Sequence, residues 1–340
     1  MRRKILFFGS LALALLILLP YAVLSVPGDS GDVENKKAAR PVTILLLGKD
    51  NAASNTDVIL VMRYTPSENT LAMMQIPRDT YLENEFQLPK INHIYPACLA
   101  RGDHEREALL YTASVIGRAF DLDFDMALSV ELSALVELVD RIGGVPIHVP
   151  MDMTYSDPAQ GLSISIPEGE TVLDGKMAEQ FWRFRSAYLE GDLGRVDAQK
   201  LFLLSFMKTA YLRMDAKTAL GILLSPPSGI LYSGSIYSVL PTVMAALSQR
   251  EACRTLIFSA PGEAVQAEVG HGTWYYILRR DALVEGLDTY FPDDQKRTNL
   301  DRDGRFFFEE PHIADIYFSA DRNIRVYGTD EISNIIIQKK

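Results

Sequence analysis

The chain has 340 residues and a formal net charge of -10 at pH 7, with 48% hydrophobic and 23% charged residues. This length allows one large domain or two smaller ones with a sizeable core. The acidic balance argues against a nucleic-acid-binding protein, because such proteins usually present a broad basic surface. We therefore expect no nucleic-acid partner, and a local group of arginines should serve a small anion instead.

The N-terminus begins with the basic sequence MRRK and continues with an uncharged apolar segment at residues 5–26. As a helix, this segment would span roughly 33 Å, which is enough to cross a bilayer. The basic residues favour a short cytoplasmic tail at residues 1–4, so the rest of the chain would be extracytoplasmic. A cleaved signal peptide is the alternative, but the apolar segment is long for one. We predict a single-pass protein of the cell membrane with a retained transmembrane anchor.

The chain after the anchor divides into three parts. Residues 27–41 are polar, without an apolar period, and are predicted to be a linker. Residues 42–291 are predicted to form the main domain, followed by a charged and aromatic C-terminal extension at residues 292–340 to which no role is assigned. The two cysteines, Cys98 and Cys253, lack a C-x-x-C spacing and are interpreted as unpaired thiols, although a disulfide stays open for an extracytoplasmic domain.

Strands and helices alternate along the main domain. The segments VTILLLG, DVILVMRYT and TLAMMQIP are short and aliphatic, which is typical of buried strands. REALLYTASVIGRAF has a helical period, and its residues predicted to face the core are Leu109, Leu110, Ala113, Ile116, Ala119 and Phe120. Residues 126–150 predict a strand, a helix that Gly143 caps at its C-terminus, and a strand. LDGKMAEQFW and LGRVDAQKLFLLSFMKTAYLRM predict two further helices. This order indicates an α/β fold with helices packed on a central sheet.

Three arginines lie close together in FWRFRSAYLEGDLGRVDAQK. Arg183 and Arg185 would point the same way if this segment is extended, as the fading helical pattern near Trp182 indicates. Arg195 and Gln199 are four residues apart, so they share one face at the positive end of the next helix. Such groups suit a phosphate or pyrophosphate, because a guanidinium pairs bidentately with phosphate oxygens. The alternative is a surface network of ion pairs worth about 0–1 kcal/mol each.

Acidic residues occupy two predicted strand ends. Asp50 follows the first strand and Asp57 begins the second, and carboxylates so placed commonly bind Mg²⁺, which shares its coordination shell with phosphates. Arg78 and Asp79 follow the third strand after Pro77, at the kind of position where open α/β sheets bind ligands. Each aspartate alone also suits ordinary turn and cap positions. Together with the arginines, these residues predict metal-assisted transfer at a pyrophosphate.

Eight segments then carry a resemblance to a known family. They are LLLGKD, TDVILV, IPRDTY, KINHIY, VDRIGGVPIHV, LDG, FWRFR and DLGRVDAQ. In this order, between about Val42 and Ala210, they resemble the LytR–CpsA–Psr family of cell-wall glycopolymer transferases. The resemblance implies a three-layer α/β/α domain with a central mixed sheet and an apolar slot for a polyprenyl chain. It also implies that an anionic glycopolymer is moved from a polyprenyl-pyrophosphate carrier to peptidoglycan with Mg²⁺.

The resemblance further implies roles for single residues. Asp50 and Asp57 would lie with the metal, and the residues expected to hold the pyrophosphate are Arg78, Arg183, Arg185, Arg195 and Gln199. The candidate catalytic residues are Asp57, Arg78 and Asp79, of which an aspartate would assist removal of a proton from the attacking hydroxyl. Two positions depart from the family pattern, because Asn55 and Ala198 stand where the family usually has arginine. Lys49 is a candidate to supply the cation missing at Asn55.

Three alternatives remain open from the sequence. A non-catalytic protein that binds polyprenyl phosphates or wall polymer, as a scaffold or regulator at the membrane, is favoured by Asn55. A pyrophosphatase would use the same groups without an acceptor. His93 in KINHIY is interpreted as a residue that orders its loop by hydrogen bonding, the other interpretation being a proton shuttle.

Residues 5–26 give the first testable prediction. Because this segment is long and follows basic residues, we expect it to stay attached to the mature protein. N-terminal sequencing of the protein isolated from membranes measures this directly. A mature start near Val26 would instead identify a cleaved signal peptide.

Overall fold

The computed structural model describes residues 40–49, 56–158, 162–184, 192–213, 227–234, 238–239, 241–242, 253–266, 273–292, 300–301, 306 and 326–328. The strands are β1 (Val42–Lys49), β2 (Thr56–Thr65), β3 (Thr70–Ile76), β4 (Met126–Glu131), β5 (Val145–Val149), β6 (Met153–Asp157), β7 (Leu162–Ile166), β8 (Gly169–Leu173), β9 (Ile230–Gly234), β10 (Arg254–Ser259), β11 (Gly262–Gln266), β12 (Trp274–Leu278) and β13 (Val326–Gly328). The α-helices are α1 (Ile94–Arg101), α2 (Glu105–Phe120), α3 (Leu132–Arg141), α4 (Gly175–Arg183), α5 (Asp192–Arg213) and α6 (Arg280–Tyr290). A short 3-10 turn, Ile91–His93, precedes α1.

A seven-stranded mixed sheet forms the centre, in the order β13–β10–β3–β2–β1–β4–β9. β1 pairs in parallel with β4, β3 pairs in parallel with β10, and β2 is antiparallel to both β1 and β3. β1, β3, β4 and β10 therefore run in one direction and end at the same edge of the sheet, where β2 begins. We call this the site edge. The predicted α/β class with a central mixed sheet is confirmed.

Helices cover both faces of this sheet. One buried cluster joins alternate residues of β1–β4 to α3, α4 and α5, for example through Leu138, Phe181 and Phe202. The second cluster joins the other alternate residues to α1, α2 and α6, for example through Tyr95 and Ile116. The period of two along each strand produces this division, since successive side chains point to opposite faces. Among the described residues, three two-stranded antiparallel sheets, β5–β8, β6–β7 and β11–β12, flank the central sheet.

Two predictions about helices are corrected. Leu110 was expected in the core but is 49% exposed, because α2 buries the neighbouring stripe of Leu109, Ala113 and Ile116. Arg183 was expected in an extended segment but is the last residue of α4, and the chain becomes extended only at Phe184. The predicted cap at Gly143 is confirmed, with φ at +79° and its N–H donating to the carbonyl of Asp140.

The two cysteines are free thiols, as predicted. Cys98 is buried in the cluster beneath α1 and α2, whereas Cys253 packs against the cluster on the opposite face of the sheet. The sheet thus separates the two sulfur atoms. Burial raises the pKa of Cys98 to about 11 and also raises that of Cys253, so both stay protonated at neutral pH.

Several expectations fall on residues outside the described part of the chain. These are the anchor at residues 5–26, the linker apart from its last two residues, Asp50, Asn55 and Arg185. No helix among the described residues combines the length and apolar character needed to span a membrane. Two pieces of residues 292–340 do contact the domain, since β13 pairs with β10 and the Phe306 ring lies 4.8 Å from that of Phe120.

Candidate functional site

A charged group lies where β3 ends and β2 begins. The antiparallel register aligns Ile59 with Ile76, and its continuation by two residues places Asp57 opposite Arg78. Arg78 Nη1 donates to Asp57 Oδ1 at 2.7 Å, and Arg78 Nε lies 3.5 Å from Asp79 Oδ2. The structure therefore brings together the three residues that the sequence proposed as catalytic.

Lys90 completes this group and was missed by the sequence analysis. Its Nζ donates to Asp79 Oδ1 at 2.7 Å and lies 5.3 Å from the centre of the Tyr275 ring. The backbone N–H of Tyr276 in β12 donates to the carbonyl of Asp79 at 2.8 Å, which ties the loop to the β11–β12 hairpin. The position of Lys90 in KINHIY, one of the resembling motifs, was the available signal. We call Asp57, Arg78, Asp79 and Lys90 the Arg78 cluster.

The charges of the Arg78 cluster sum to zero. Two carboxylates face one guanidinium and one ammonium, all with side chains 28% exposed or less. The cluster is thus preorganised by its own ion pairs, yet it offers no net positive charge to an anion. A pyrophosphate at the site edge would need additional cations, from other elements or from a bound metal ion.

Lys49, at the end of β1, has carboxylate partners. Its ammonium lies 3.5 Å from Glu105 Oε1 and 3.7 Å from Glu131 Oε1, and its side chain is only 6% exposed. It also lies 5.4 Å from the ring centre of Tyr95, whose pKa is raised chiefly by burial. These contacts join β1 to α1, α2 and the start of α3, so the charge of Lys49 already has a structural function in the described residues.

Arg183 projects from the last turn of α4. Its Nη1 donates to Glu179 Oε1 at 3.3 Å, four residues earlier in the same helix. Asp174 caps the start of α4 by accepting from the N–H of Met177, and buried Phe181 fixes its orientation. Trp182 contacts the Phe202 ring of α5 edge-on, with ring centres 5.6 Å apart. Arg183 is therefore held near α5.

The backbone of Arg195 belongs to α5, but its side chain lies outside the described residues.

Gln199 meets the sheet through a polar partner that the sequence analysis did not propose. Gln75 Nε2, near the end of β3, donates to Gln199 Oε1 at 3.0 Å, and both residues are 2% exposed. The remaining atoms of this amide pair, Gln75 Oε1 and Gln199 Nε2, have no hydrogen-bond partner within the described structure. A buried unsatisfied polar group costs about 1–3 kcal/mol. A ligand group that accepts hydrogen bonds would therefore be stabilised at Gln199 Nε2.

Lys200 forms a second polar contact beneath α5. Its Nζ donates to Ser259 Oγ at 3.0 Å and lies 2.6 Å from Asp197 Oδ1. Ser259 of β10 is aligned with Gln75 of β3, so successive residues of α5 contact neighbouring strands. Burial raises the pKa of Tyr276, and the charge of Asp197 makes a smaller contribution in the same direction. The Tyr276 hydroxyl donates to the carbonyl of Ala260. We call Gln75, Asp197, Gln199, Lys200 and Ser259 the polar layer.

The donor set of the site edge fits a magnesium ion in part. Mg²⁺ prefers hard oxygen ligands and is commonly held by one or two carboxylates together with substrate phosphates. Asp57 and Asp79 supply carboxylates next to each other, bridged by Arg78. No group of three or more His, Cys, Asp or Glu side chains suited to a metal occurs among the described residues. The described residues alone would offer a metal ion these two carboxylates, and substrate oxygens would have to supply further ligands.

His93 lies at the junction of the 3-10 turn and α1, where its backbone N–H donates to the carbonyl of Lys90 at 3.1 Å. Its side chain makes no capping bond to α1. The neighbouring Asn92 carbonyl accepts from the Thr56 hydroxyl at the start of β2. This segment thus fixes the loop beside the Arg78 cluster through its backbone.

The buried ammonium of Lys200 gives a stability prediction. Lys200→Met keeps the side-chain length but leaves Asp197 and Ser259 without their shared donor, so we expect a loss of about 1–3 kcal/mol in the free energy of unfolding. Lys208→Met, at an exposed position of the same helix, is the matched control and should change it by less than about 0.5 kcal/mol. Urea denaturation measures both variants, and equal stabilities would contradict the structural role of the Lys200 contacts.

Comparison with known proteins agrees with this architecture. TagU of Oceanobacillus iheyensis, a polyisoprenyl-teichoic acid–peptidoglycan teichoic acid transferase, is 27% identical over 250 residues, covering 71% of this chain and 72% of that protein. TagU of Bacillus subtilis, of the same description, is 29% identical over 171 residues, covering 49% of this chain and 50% of that one. The crystal structure of B. subtilis TagV superposes with a TM-score of 0.59 at 20% identity, covering 78% of this chain and 98% of that chain. The model of the LytR_cpsA_psr family matches residues 25–221, more than half of the sequence, and the chain belongs to this family.

Proposed function

We propose that the protein is a membrane-anchored, extracytoplasmic transferase that moves an anionic glycopolymer from a polyprenyl-pyrophosphate carrier to peptidoglycan. The observation that carries this proposal is the Arg78 cluster at the site edge, with the polar layer and Arg183 on neighbouring elements. The two TagU relatives, described as teichoic acid transferases acting on peptidoglycan, support the reaction class. The apolar residues 5–26 support the membrane anchor.

The proposed reaction is a phosphoryl-group transfer. A peptidoglycan hydroxyl attacks the phosphorus atom linked to the glycopolymer, and the bond from that phosphorus to the bridging oxygen breaks. The bridging oxygen leaves with the lipid phosphate, and the hydroxyl proton passes to a carboxylate, for which Asp57 and Asp79 are the candidates. Arg78, placed between them, stabilises the negative charge that develops on the leaving group.

Magnesium is part of this proposal. Asp57 and Asp50 would hold the ion, and when bound it would supply positive charge to the pyrophosphate oxygens. The neutral charge of the Arg78 cluster supports this assignment, because Arg78 and Lys90 only balance its two carboxylates and leave no net positive charge for the substrate anion. Arg183, Arg185 and Arg195 would bind the outer phosphate oxygens, each through charge-assisted hydrogen bonds.

A non-catalytic binder of polyprenyl phosphates is the second candidate. Asn55 favours it, since the family usually has arginine at that position. The two candidates differ in whether lipid phosphate is released. Incubation of the full chain with a polyprenyl-pyrophosphate sugar, Mg²⁺ and a peptidoglycan fragment measures that release. The same incubation without peptidoglycan identifies a pyrophosphatase.

Substitution of the arginines tests the pyrophosphate assignment. Arg183→Lys and Arg185→Lys keep the charge but lose bidentate pairing, so we expect affinity for a lipid pyrophosphate to fall by about 1–3 kcal/mol per site. Calorimetric titration measures it. The matched control is Glu179→Gln, which removes the carboxylate paired with Arg183 and should leave affinity equal or higher. Unchanged affinity in both lysine variants would contradict the pyrophosphate assignment and favour the interpretation of these arginines as a surface network of ion pairs.

Asp57→Asn tests the catalytic assignment. The change removes a carboxylate that would bind the metal or accept a proton, and it keeps the size of the side chain. The rate of transfer should therefore fall on the order of 100-fold or more while the domain stays folded. EDTA should abolish transfer by the unchanged protein. The measurement is release of lipid phosphate, with circular dichroism as the check on folding.

Asn55→Arg separates the two candidate functions. In a transferase with a weakened anion site, this change should tighten substrate binding or raise turnover. In a protein that only binds, it should tighten binding without forming product.

Full activity in Asp57→Asn together with resistance to EDTA would disprove the metal assignment.

A further inference from the structure

Gln75 is an unusual residue for its position. It lies between Met74 and Ile76 in β3, where the surrounding residues are buried and apolar, and it is itself 2% exposed. A buried amide requires hydrogen-bond partners, and one partner of Gln75 is Gln199, which is 124 residues away in sequence. Apolar packing against α5 alone would not require an amide here.

The chemistry of the amide pair determines what Gln199 offers to a ligand. Gln199 Oε1 accepts from Gln75 Nε2, so the carbonyl end of Gln199 is already occupied. Its Nε2, which only donates, has no partner within the described structure. A group that accepts hydrogen bonds, such as a phosphate oxygen, would satisfy it. If the Gln199 amide were turned over, its carbonyl oxygen would take that place and repel the same anion.

The surrounding charges make this orientation matter. Lys200 and Asp197 form an ion pair in the same polar layer, so the layer brings no net positive charge to a phosphate. The contribution of the polar layer to anion binding would then depend on the direction in which its uncharged N–H donors point. Gln75 also lies three residues before Arg78 in the chain, so one strand end carries both the guanidinium of the cluster and the partner of Gln199.

We propose that Gln75 is a positioning residue that fixes the Gln199 amide with its N–H groups directed to a phosphate of the polyprenyl-pyrophosphate substrate. This inference rests on the proposed function and on the role that the family resemblance implies for Gln199, that of a pyrophosphate ligand. Gln75 acts through Gln199 and does not itself contact the ligand.

A double-mutant cycle on the full chain in detergent micelles tests the proposal. The variants are Gln75→Met, Gln199→Met and the double substitution, and the probe is farnesyl pyrophosphate titrated by calorimetry. Gln75→Met should weaken binding by about tenfold, equivalent to about 1.4 kcal/mol, because Gln199 loses its fixed orientation. In the Gln199→Met background the same change should have no further effect, since the residue through which Gln75 acts is gone.

Farnesol, which has no phosphate, is the control ligand. If Gln75 only fills space, Gln75→Met weakens farnesol and farnesyl pyrophosphate equally, and its effect adds to that of Gln199→Met. Either result overturns the positioning role and leaves the proposed function intact. If the unchanged protein binds farnesyl pyrophosphate no better than farnesol, the pyrophosphate assignment itself fails, and the role of Gln75 fails with it.

Folding is checked by thermal unfolding of each variant. Should Gln75→Met be unfolded, Gln75→Ser replaces it in the cycle, because the shorter side chain cannot reach the amide of Gln199. The expected outcome is the same loss for farnesyl pyrophosphate and the same absence of further loss in the Gln199→Met background. Additive effects in that cycle overturn the proposal equally.

Discussion

The antiparallel pairing of β2 with β3 is the constraint on which the site edge depends. A tight turn at Pro66–Asn69 joins the two strands, and Asn69 adopts a left-handed conformation there, with φ at +46°. Buried residues on both faces of the strands then hold the register, because a slip by one residue would turn every side chain to the other face. Asp57 and Arg78 lie at the open end of this hairpin, so apolar packing several residues away determines that they meet. The ion pair is thus a consequence of the register and does not have to establish it.

The described cations of the Arg78 cluster, the polar layer and the end of α4 all have a carboxylate partner. Arg78 is paired with Asp57, Lys90 with Asp79, Arg183 with Glu179 and Lys200 with Asp197. On the proposed function, these pairs would fix the positions of the cations in advance and lower the ordering cost of binding a phosphate. The phosphate would also have to compete with the carboxylates for the cations. On the proposed function, the displaced carboxylates would face the substrate, and a divalent cation would turn that repulsion into attraction. On the proposed function, the ion pairs that preorganise the cations would therefore also make a divalent cation necessary for binding the phosphate.

Sequence patterns predicted the features that depend on local order. The aliphatic segments predicted β1, β2 and β3, and the glycine at 143 predicted the end of α3, because burial and backbone conformation leave direct marks in the sequence. Leu110 was placed wrongly because two overlapping apolar stripes run along α2. Packing against the sheet, which the sequence does not show, determines which of the two stripes is buried. Arg183 was placed wrongly because a capped, anchored helix continued past the point where its apolar period faded. The contact between Gln75 and Gln199 could not be predicted, since a polar residue in an apolar strand shows that a partner is needed without showing which.

The departure at position 198 has a packing explanation in this chain. Ala198 is buried in the same cluster as Leu201 and Phe202 of α5. An arginine pointing the same way would bury a guanidinium among apolar side chains, which is costly unless a carboxylate accompanies it. Among the described side chains of α5, Lys200 is a buried cation. Its contacts with Asp197 and Ser259 offset the cost of burying its charge. The described part of α5 therefore keeps its buried cation paired, and Arg183 at the end of α4 is paired with Glu179 in the same way. On the proposed function, such a site would recognise an anion by the direction of its hydrogen-bond donors and by the charge that a bound metal ion would add.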